Sequence, residues 1–216
     1  MTAEELKSIP EPSLRRLPVY LQYLQNARET GKTEISTTLI ARDLRLDPTQ
    51  VRKDLAYTGI IGKPKIGYNI DILINSIEDY LNWNNLSDAF LAGAGNLGLA
   101  LLGFEQFTKY GIKIVALFDN DGRKIDREVK GVPVLPVEKM ASLAKRMHIH
   151  IGIITVPASS AQSVAEQMVA GGIKAIWNFA PKMLKLPEEI IVENAQFATS
   201  LAVLTRKLAE SLKMVE

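Results

Sequence analysis

The sequence predicts an α/β protein in two parts. A winged helix-turn-helix domain is expected over residues 1–84 and a Rossmann domain, a doubly wound parallel sheet, over residues 85–194. A terminal helix over 195–216 is expected to serve dimerisation. Three observations predict this. Gly93-x-Gly95-x-x-Gly98 stands between an apolar run and a helical pattern. Two short helical patterns meet across Arg45-Leu46-Asp47, ahead of a basic, glycine-bounded segment. After residue 85, apolar strand candidates alternate with helical stretches, which is the doubly wound signature.

The bulk properties are compatible with this and exclude some chemistry. The 216 residues suit one large or two modest domains, and 47% hydrophobic content can fill real cores. The net charge of +2 says little, so the placement of the basic residues matters more. The absence of cysteine excludes disulfides, thiolate catalysis and Cys-ligated zinc. No metal site is expected. The N-terminus is polar without a signal-peptide pattern, and no apolar run approaches the roughly 20 residues of a membrane span. A cytoplasmic protein with no membrane partner is expected.

In the first domain, Leu17, Tyr20, Leu21 and Leu24 give a helical face that runs out at Gly31. Pro18 would fit the first turn of that helix. Glu34-Ile35 reads as a short extended piece. Ser36 reads as the N-cap of a second helix whose apolar face is Leu39, Ile40 and Leu44. Asp47-Pro48-Thr49-Gln50 is a helix start: Asp47 caps, Pro48 sits at the first position, and Gln50 can complete a capping box. Val51 and Leu55 face the core. At 100° per residue, Thr49, Arg52, Lys53, Ala56 and Tyr57 fall opposite, and Gly59 ends the helix.

On charge alone, that outer face is the solvated face most helices carry. The next segment changes the reading. Ile60 to Tyr68 looks like a hairpin with a basic tip, Lys63-Pro64-Lys65. Helix, tight turn, cationic helix and hairpin wing form a winged-helix pattern, which places the helix in the major groove and the wing lysines on phosphate or the adjacent groove. From Arg42 to Lys65 there are six Lys/Arg against three Asp, so the cationic excess is local. The expected partner is double-stranded DNA, contacted by Thr49, Arg52, Lys53, Tyr57, Lys63 and Lys65. Asp71 is a candidate cap for a further helix carrying Ile74, Ile77, Tyr80 and Leu81, and Asn82-Trp83-Asn84-Asn85 marks a boundary.

In the second domain, the first strand is read near Ala89 to Ala92 and its helix near Asn96 to Lys109. In such a turn one glycine makes the bend, one lets backbone approach a pyrophosphate, and one lets helix and strand pack closely. The second strand, Ile112 to Phe118, ends in Asp119. An acidic residue there bonds the adenosine ribose hydroxyls and repels a 2′-phosphate, favouring NAD over NADP. Asp119 lies 26 residues after Gly93, longer than the usual interval of roughly 20, and Arg123 nearby leaves NADP open. Further strands are read at Val132 to Val134, Ile149 to Ile154 and Ile173 to Trp177. The expected dinucleotide site is Gly93, Ala94, Gly95, Asn96, Leu97, Gly98, Asp119, Thr155, Val156, Pro157, Asn178 and Phe179.

The last helix, from Ala195 to Met214, carries Phe197, Leu201, Leu204, Leu208 and Leu212 in one stripe. Such a stripe packs on its own domain or on a partner subunit. No catalytic residue is expected. The only histidines, His148 and His150, precede a strand on the side away from the crevice, and no tyrosine has a lysine four residues later. The dinucleotide, NADH or NAD, therefore reads as a regulatory signal and not a reagent.

Several stretches together resemble the Rex family of bacterial redox-sensing transcriptional repressors over essentially the full length. They are Arg16 to Tyr20, Val51 to Leu55 through Gly59, Gly67-Tyr68-Asn69, Gly93 to Gly98, Thr155 to Ala158 and Asn178 to Pro181. The resemblance implies a homodimer that exchanges its terminal helix with the partner subunit. It implies a palindromic operator before anaerobic and NADH-consuming genes. It also implies that NADH releases DNA while NAD permits binding.

Two departures accompany the likeness. The family's wing usually has glycine where this chain has Lys65. Family members also couple cofactor to DNA through an arginine on the first helix, a tyrosine after the glycine turn and an aspartate opening the terminal helix. The matching positions here are Gln22, Phe104 and Gln196. Two other functions remain open from the sequence: an NAD-dependent oxidoreductase and a CoA-binding regulatory module.

Overall fold

The computed structural model describes residues 9–195 and 197–213. The chain divides into two compact units between Asn85 and Leu86. Among the described residues no helix is long and apolar enough to cross a membrane.

In the first unit, α1 spans Glu11–Glu29, β1 Glu34–Ile35, α2 Thr37–Leu44, α3 Pro48–Ala56, β2 Tyr68–Asn69 and α4 Ile70–Tyr80. Pro18 sits inside α1, not in its first turn. The true start follows Pro10, with Pro12 in the opening turn where a missing N–H costs nothing. Leu17, Tyr20, Leu21 and Leu24 meet Ile40, Val51, Leu55, Leu73, Ile74 and Ile77 in one core. Ser36 caps α2 by accepting the Leu39 N–H. Asn69, and not Asp71, caps α4, because its side chain reaches the Ile72 N–H while Asp71 already lies in the first turn. The strands β1 and β2 pair antiparallel and close the wing's base.

In the second unit, β3 spans Ser87–Ala92, α5 Asn96–Leu102, α6 Gln106–Lys109, β4 Ile112–Asp119, β5 Glu128–Val129 and β6 Val132–Pro136. Then come α7 at Met140–Met147, β7 at Ile151–Ile154, α8 at Ala158–Ala170, β8 at Ala175–Asn178, β9 at Ile191–Asn194 and α9 at Phe197–Lys213. The sheet order is β5-β6-β4-β3-β7-β8-β9, parallel except for the β5/β6 pair. The chain leaves β3 to one side and returns to β7 on the other, so the switch point lies between these strands. Alternate residues feed two cores. Phe90 and Phe118 pack on one face, with ring centroids 4.8 Å apart, and Leu91 and Leu117 pack on the other. The single helix expected from Asn96 to Lys109 is broken at Gly103, which caps α5. No residue of α9 is buried, and apart from Phe197, whose ring meets Phe179, its apolar stripe stays open in the single chain.

Candidate functional site

The first candidate surface is the outer side of α3 and the wing. Helix α2 ends in left-handed Arg45 (φ 57°), and Asp47 then accepts the N–H groups of Thr49 and Gln50 at 2.8 and 3.0 Å. Val51 and Leu55 are fully buried beneath α3. Thr49, Arg52 and Lys53 are exposed, Tyr57 is half-buried, and Lys63 and Lys65 are exposed on the wing. The wing is a short hairpin in which Lys63 and Gly67 exchange backbone hydrogen bonds, with Lys65 left-handed at the tip.

Sequence reasoning missed the anchor of α3. Asp54 is buried and accepts from Arg16, Tyr20 and Gln50. Gln50 is thereby turned toward Asp54 and away from the expected capping box. Burial alone would raise the Asp54 pKa, but the bonds from Arg16, Tyr20 and Gln50 outweigh it and hold it below the ordinary value. The signal for this anchor was a lone aspartate between Val51 and Leu55 on the core face, which demands a buried partner.

The second candidate site is a cleft of about 830 Å³ at the switch point, over the carboxyl ends of the strands. Gly93, Gly95, Leu97, Asp119, Thr155, Val156, Pro157 and Phe179 line it. Gly93 has φ +108° and lies so close to Thr155 that a Cβ would come within 2.7 Å of its hydroxyl oxygen. A Cβ on Gly98 would strike the Gly93 carbonyl. At Gly95 a Cβ would meet nothing, so the space above that backbone belongs to the cleft. This arrangement fits a pyrophosphate passing over the turn. Thr155 locks β7 to the turn, with its hydroxyl 3.0 and 2.9 Å from the carbonyls of Ala92 and Gly93.

Four of the expected residues do not line the cleft: Ala94, Asn96, Gly98 and Asn178. The Ala94 N–H is held by Asp119 at 2.8 Å, and Gly98 serves close packing. Asn178 is buried, donates to the Lys182 carbonyl and the Asn194 side chain, and accepts the Ala180 N–H. It shapes the loop that carries Ala180 and Pro181 into the cleft wall.

Asp119 is more occupied than the sequence suggested. It accepts from Ala94 N–H, from Asp121 N–H and from Lys124 Nζ at 3.0 Å. A carboxylate has about four lone-pair sites, so room for about one further donor remains. Burial would raise its pKa, but the Asp121 N–H, Lys124 and the Ala94 N–H together hold it low. Lys124 lines the cleft and went unremarked in the sequence. It neutralises Asp119, which weakens the expectation that a bare carboxylate repels a phosphorylated ribose. Arg123 points its charge at Asp121, whose pKa falls to about 2.

Phe179 joins a run of aromatic contacts from Phe104 through Phe107 and Trp177 to Phe197, with successive centroids 4.6 to 6.1 Å apart. Gln22 is exposed on α1, Phe104 is exposed between α5 and α6, and Gln196 lies outside the described residues. His148 and His150 are exposed ahead of β7 and do not line the cleft.

A family model described as the CoA binding domain matches residues 84–182, and one described as a putative DNA-binding protein N-terminus matches residues 8–56. The redox-sensing transcriptional repressor Rex of Treponema denticola is 44% identical over 193 residues, covering 89% of this chain and 92% of its own. This chain belongs to the Rex family. Rex of Bacteroides fragilis is 39% identical, covering 93% and 91% of the two chains. Rex of Carboxydothermus hydrogenoformans is 41% identical, covering 91% and 95%. The crystal structure of the Rex-family repressor RSP in complex with β-NAD+ and operator DNA matches with a TM-score of 0.89 at 32% identity, over 96% of both chains. RSP in complex with β-NADH matches at 0.86, over 96% and 99%. The likeness to the Rex-family structure thus extends over 96% of this chain.

Proposed function

We propose that this Rex-family chain is a transcriptional repressor that binds duplex operator DNA as a homodimer and is released from it by NADH. The observation that carries the reading is the joint presence, in one chain 44% identical to a Rex repressor, of an exposed cationic α3 with its wing and a switch-point cleft over a glycine turn. Arg52 and Lys53 would read the major groove, Lys63 and Lys65 would take backbone phosphate, and Thr49 and Tyr57 would flank them. Gly93, Gly95 and Leu97 would lie under the pyrophosphate of the nucleotide, and Asp119 with Lys124 would hold the adenosine ribose.

When bound, the dinucleotide supplies a nicotinamide ring that is cationic when oxidised and neutral when reduced. Thr155, Val156, Pro157 and Phe179 would line that end, and their largely apolar surface favours the neutral ring, because burying a charge without a partner is costly. Among the described cleft residues, the ionisable ones are Asp119, Asp121 and Lys124, all at or just after the end of β4. Among the described lining residues no ionisable side chain stands at the opposite end, where Thr155, Ser159 and Ser160 are the nearest polar groups by sequence, and this favours a regulator over an oxidoreductase. The open face of α9 supports the homodimer, since Phe197, Leu201, Leu204, Leu208 and Leu212 are each 57–64% exposed in the single chain.

The test is fluorescence anisotropy on duplexes recovered by the protein from a randomised pool, titrated with NADH and with NAD. NADH should weaken duplex binding more than NAD does. Steady NADH turnover with a small carbonyl compound would favour the oxidoreductase instead. A CoA-binding regulatory module is the second reading, favoured by the family model over residues 84–182 and by the cation of Lys124 beside Asp119. Competition between CoA and NADH in thermal shift separates the two.

A further inference from the structure

The wing presents apolar side chains to water beside its cations. Ile60 packs against the first core, but Ile61 is 89% exposed and Ile66 is 55% exposed. The hairpin that carries them is braced. Its Lys63 and Gly67 backbones bond at 2.7 and 2.9 Å. The Tyr68 ring lies over Gly62, where a Cβ would come within 2.8 Å of it, and Gly67, at φ +99°, packs on the Ile35 backbone. The braced hairpin thus presents both isoleucines on its exposed surface.

A trough of about 550 Å³ separates the wing from α3. Both isoleucines line it, together with the cations Arg52, Lys63 and Lys65, and no carboxylate does. Apolar groups ringed by positive charge alone match a polyanion with an apolar recess. Duplex DNA offers one in its minor groove, whose floor over A·T pairs lacks the guanine 2-amino group. Side chains such as isoleucine act as wedges there.

We propose that Ile61 and Ile66 enter the minor groove beside the segment read by α3 and select A·T over G·C pairs at that place. The inference rests on the DNA-binding reading above and adds a sequence preference that no hydrogen bond of the wing supplies.

The test uses the full chain and duplexes that it recovers from a randomised pool, with the wing's footprint located by hydroxyl-radical protection. A·T pairs in that footprint are replaced by G·C or by inosine·cytosine, which keeps the major groove of G·C but the minor groove of A·T. G·C should weaken binding about tenfold, the scale of a mismatched pair, and inosine·cytosine should restore it. The double variant Ile61→Ser, Ile66→Ser should keep its melting temperature, since both side chains are exposed, and should bind all three duplexes alike. Equal weakening by G·C and inosine·cytosine overturns the proposal, as does a full A·T preference in the double variant; in both cases the DNA-binding reading stands. Recovery of no duplex by the wild-type chain overturns that reading, and the wedge with it.

Discussion

Arg16 on α1 and Asp54 on α3 are joined by two hydrogen bonds, Nε to Oδ2 at 2.6 Å and Nη2 to Oδ1 at 3.0 Å. Asp54 is fully buried and Arg16 is mostly so. This bond pair ties the candidate recognition helix to the first helix of its unit. Removing one partner of such a pair leaves an uncompensated charge, at a cost of about 3–5 kcal/mol. We predict a loss of that size for Arg16→Ala, measured by urea denaturation of the full chain. A change under about 0.5 kcal/mol, the range typical of surface substitutions, would show the pair to be incidental.

The same pair sets an acid limit. The native pKa of Asp54 lies below its ordinary value, so the unfolded chain binds a proton at a higher pH than the folded one. Its contribution is present above the ordinary carboxylate value of about 3.9 and is lost as pH falls through the depressed native value. Urea midpoints compared between pH 6 and pH 3 should fall more steeply for wild type than for Asp54→Asn. Parallel acid limbs would remove Asp54 from the account.

What the sequence disclosed follows from the range of each interaction. Asp47 capping α3 and Val51 with Leu55 beneath it involve neighbours within a few turns, and they were legible. The partner of Asp54 is 38 residues away, so only its awkward position on an apolar face hinted at Arg16. The glycine turn was legible because each glycine meets a distinct steric demand. Ala94 and Asn178 nevertheless bond the chain itself, with Asp119 and Asn194, where the motif suggested ligand. Strand β9 was missed because Ile191–Asn194 is short, alternates weakly, and is fixed by parallel pairing with β8.

Two glycines of the turn should fail in different ways. Gly95→Val should fold with an unchanged melting temperature, because its backbone (φ −88°) suits any residue and its Cβ meets nothing. Its side chain would occupy the cleft, and calorimetry should find nucleotide binding lost. Gly98→Ala should lose stability, since its methyl would strike the Gly93 carbonyl. Normal NADH affinity in Gly95→Val would mean that no pyrophosphate crosses the turn.

At the end of β4, Asp119→Ala should narrow any preference for NADH over NADPH, and Lys124→Ala should widen it by leaving Asp119 unneutralised. Calorimetry on both variants decides this. If wild type binds NADPH as tightly as NADH, Asp119 is not a selector.

On the outer face of α3, the double variant Arg52→Ala, Lys53→Ala should lose duplex affinity, with Arg52 contributing on the order of 1–3 kcal/mol of sequence discrimination. Lys63→Ala or Lys65→Ala should weaken binding to all sequences and reduce the salt slope by about one unit. Filter binding across a salt series measures both. Unchanged affinity in the double variant would displace α3 from the groove.

The redox response should be present but muted. Release by NADH requires that NADH bind the DNA-free arrangement better than the DNA-bound one. Gln22 and Phe104 carry no charge and no phenol hydroxyl, and Gln196, outside the described residues, is neutral as well. Neutral hydrogen bonds are roughly half as strong as charge-assisted ones. NADH and NAD should therefore differ less in their effect on duplex affinity than charged and phenolic groups at these positions would allow, and the difference should depend little on pH or salt. The triple variant Gln22→Arg, Phe104→Tyr, Gln196→Asp should widen it, read by duplex titration with each nucleotide. If the triple variant separates NADH from NAD no better than wild type does, redox state is read elsewhere, and the aromatic contacts from Phe179 to Phe197 become the place to look.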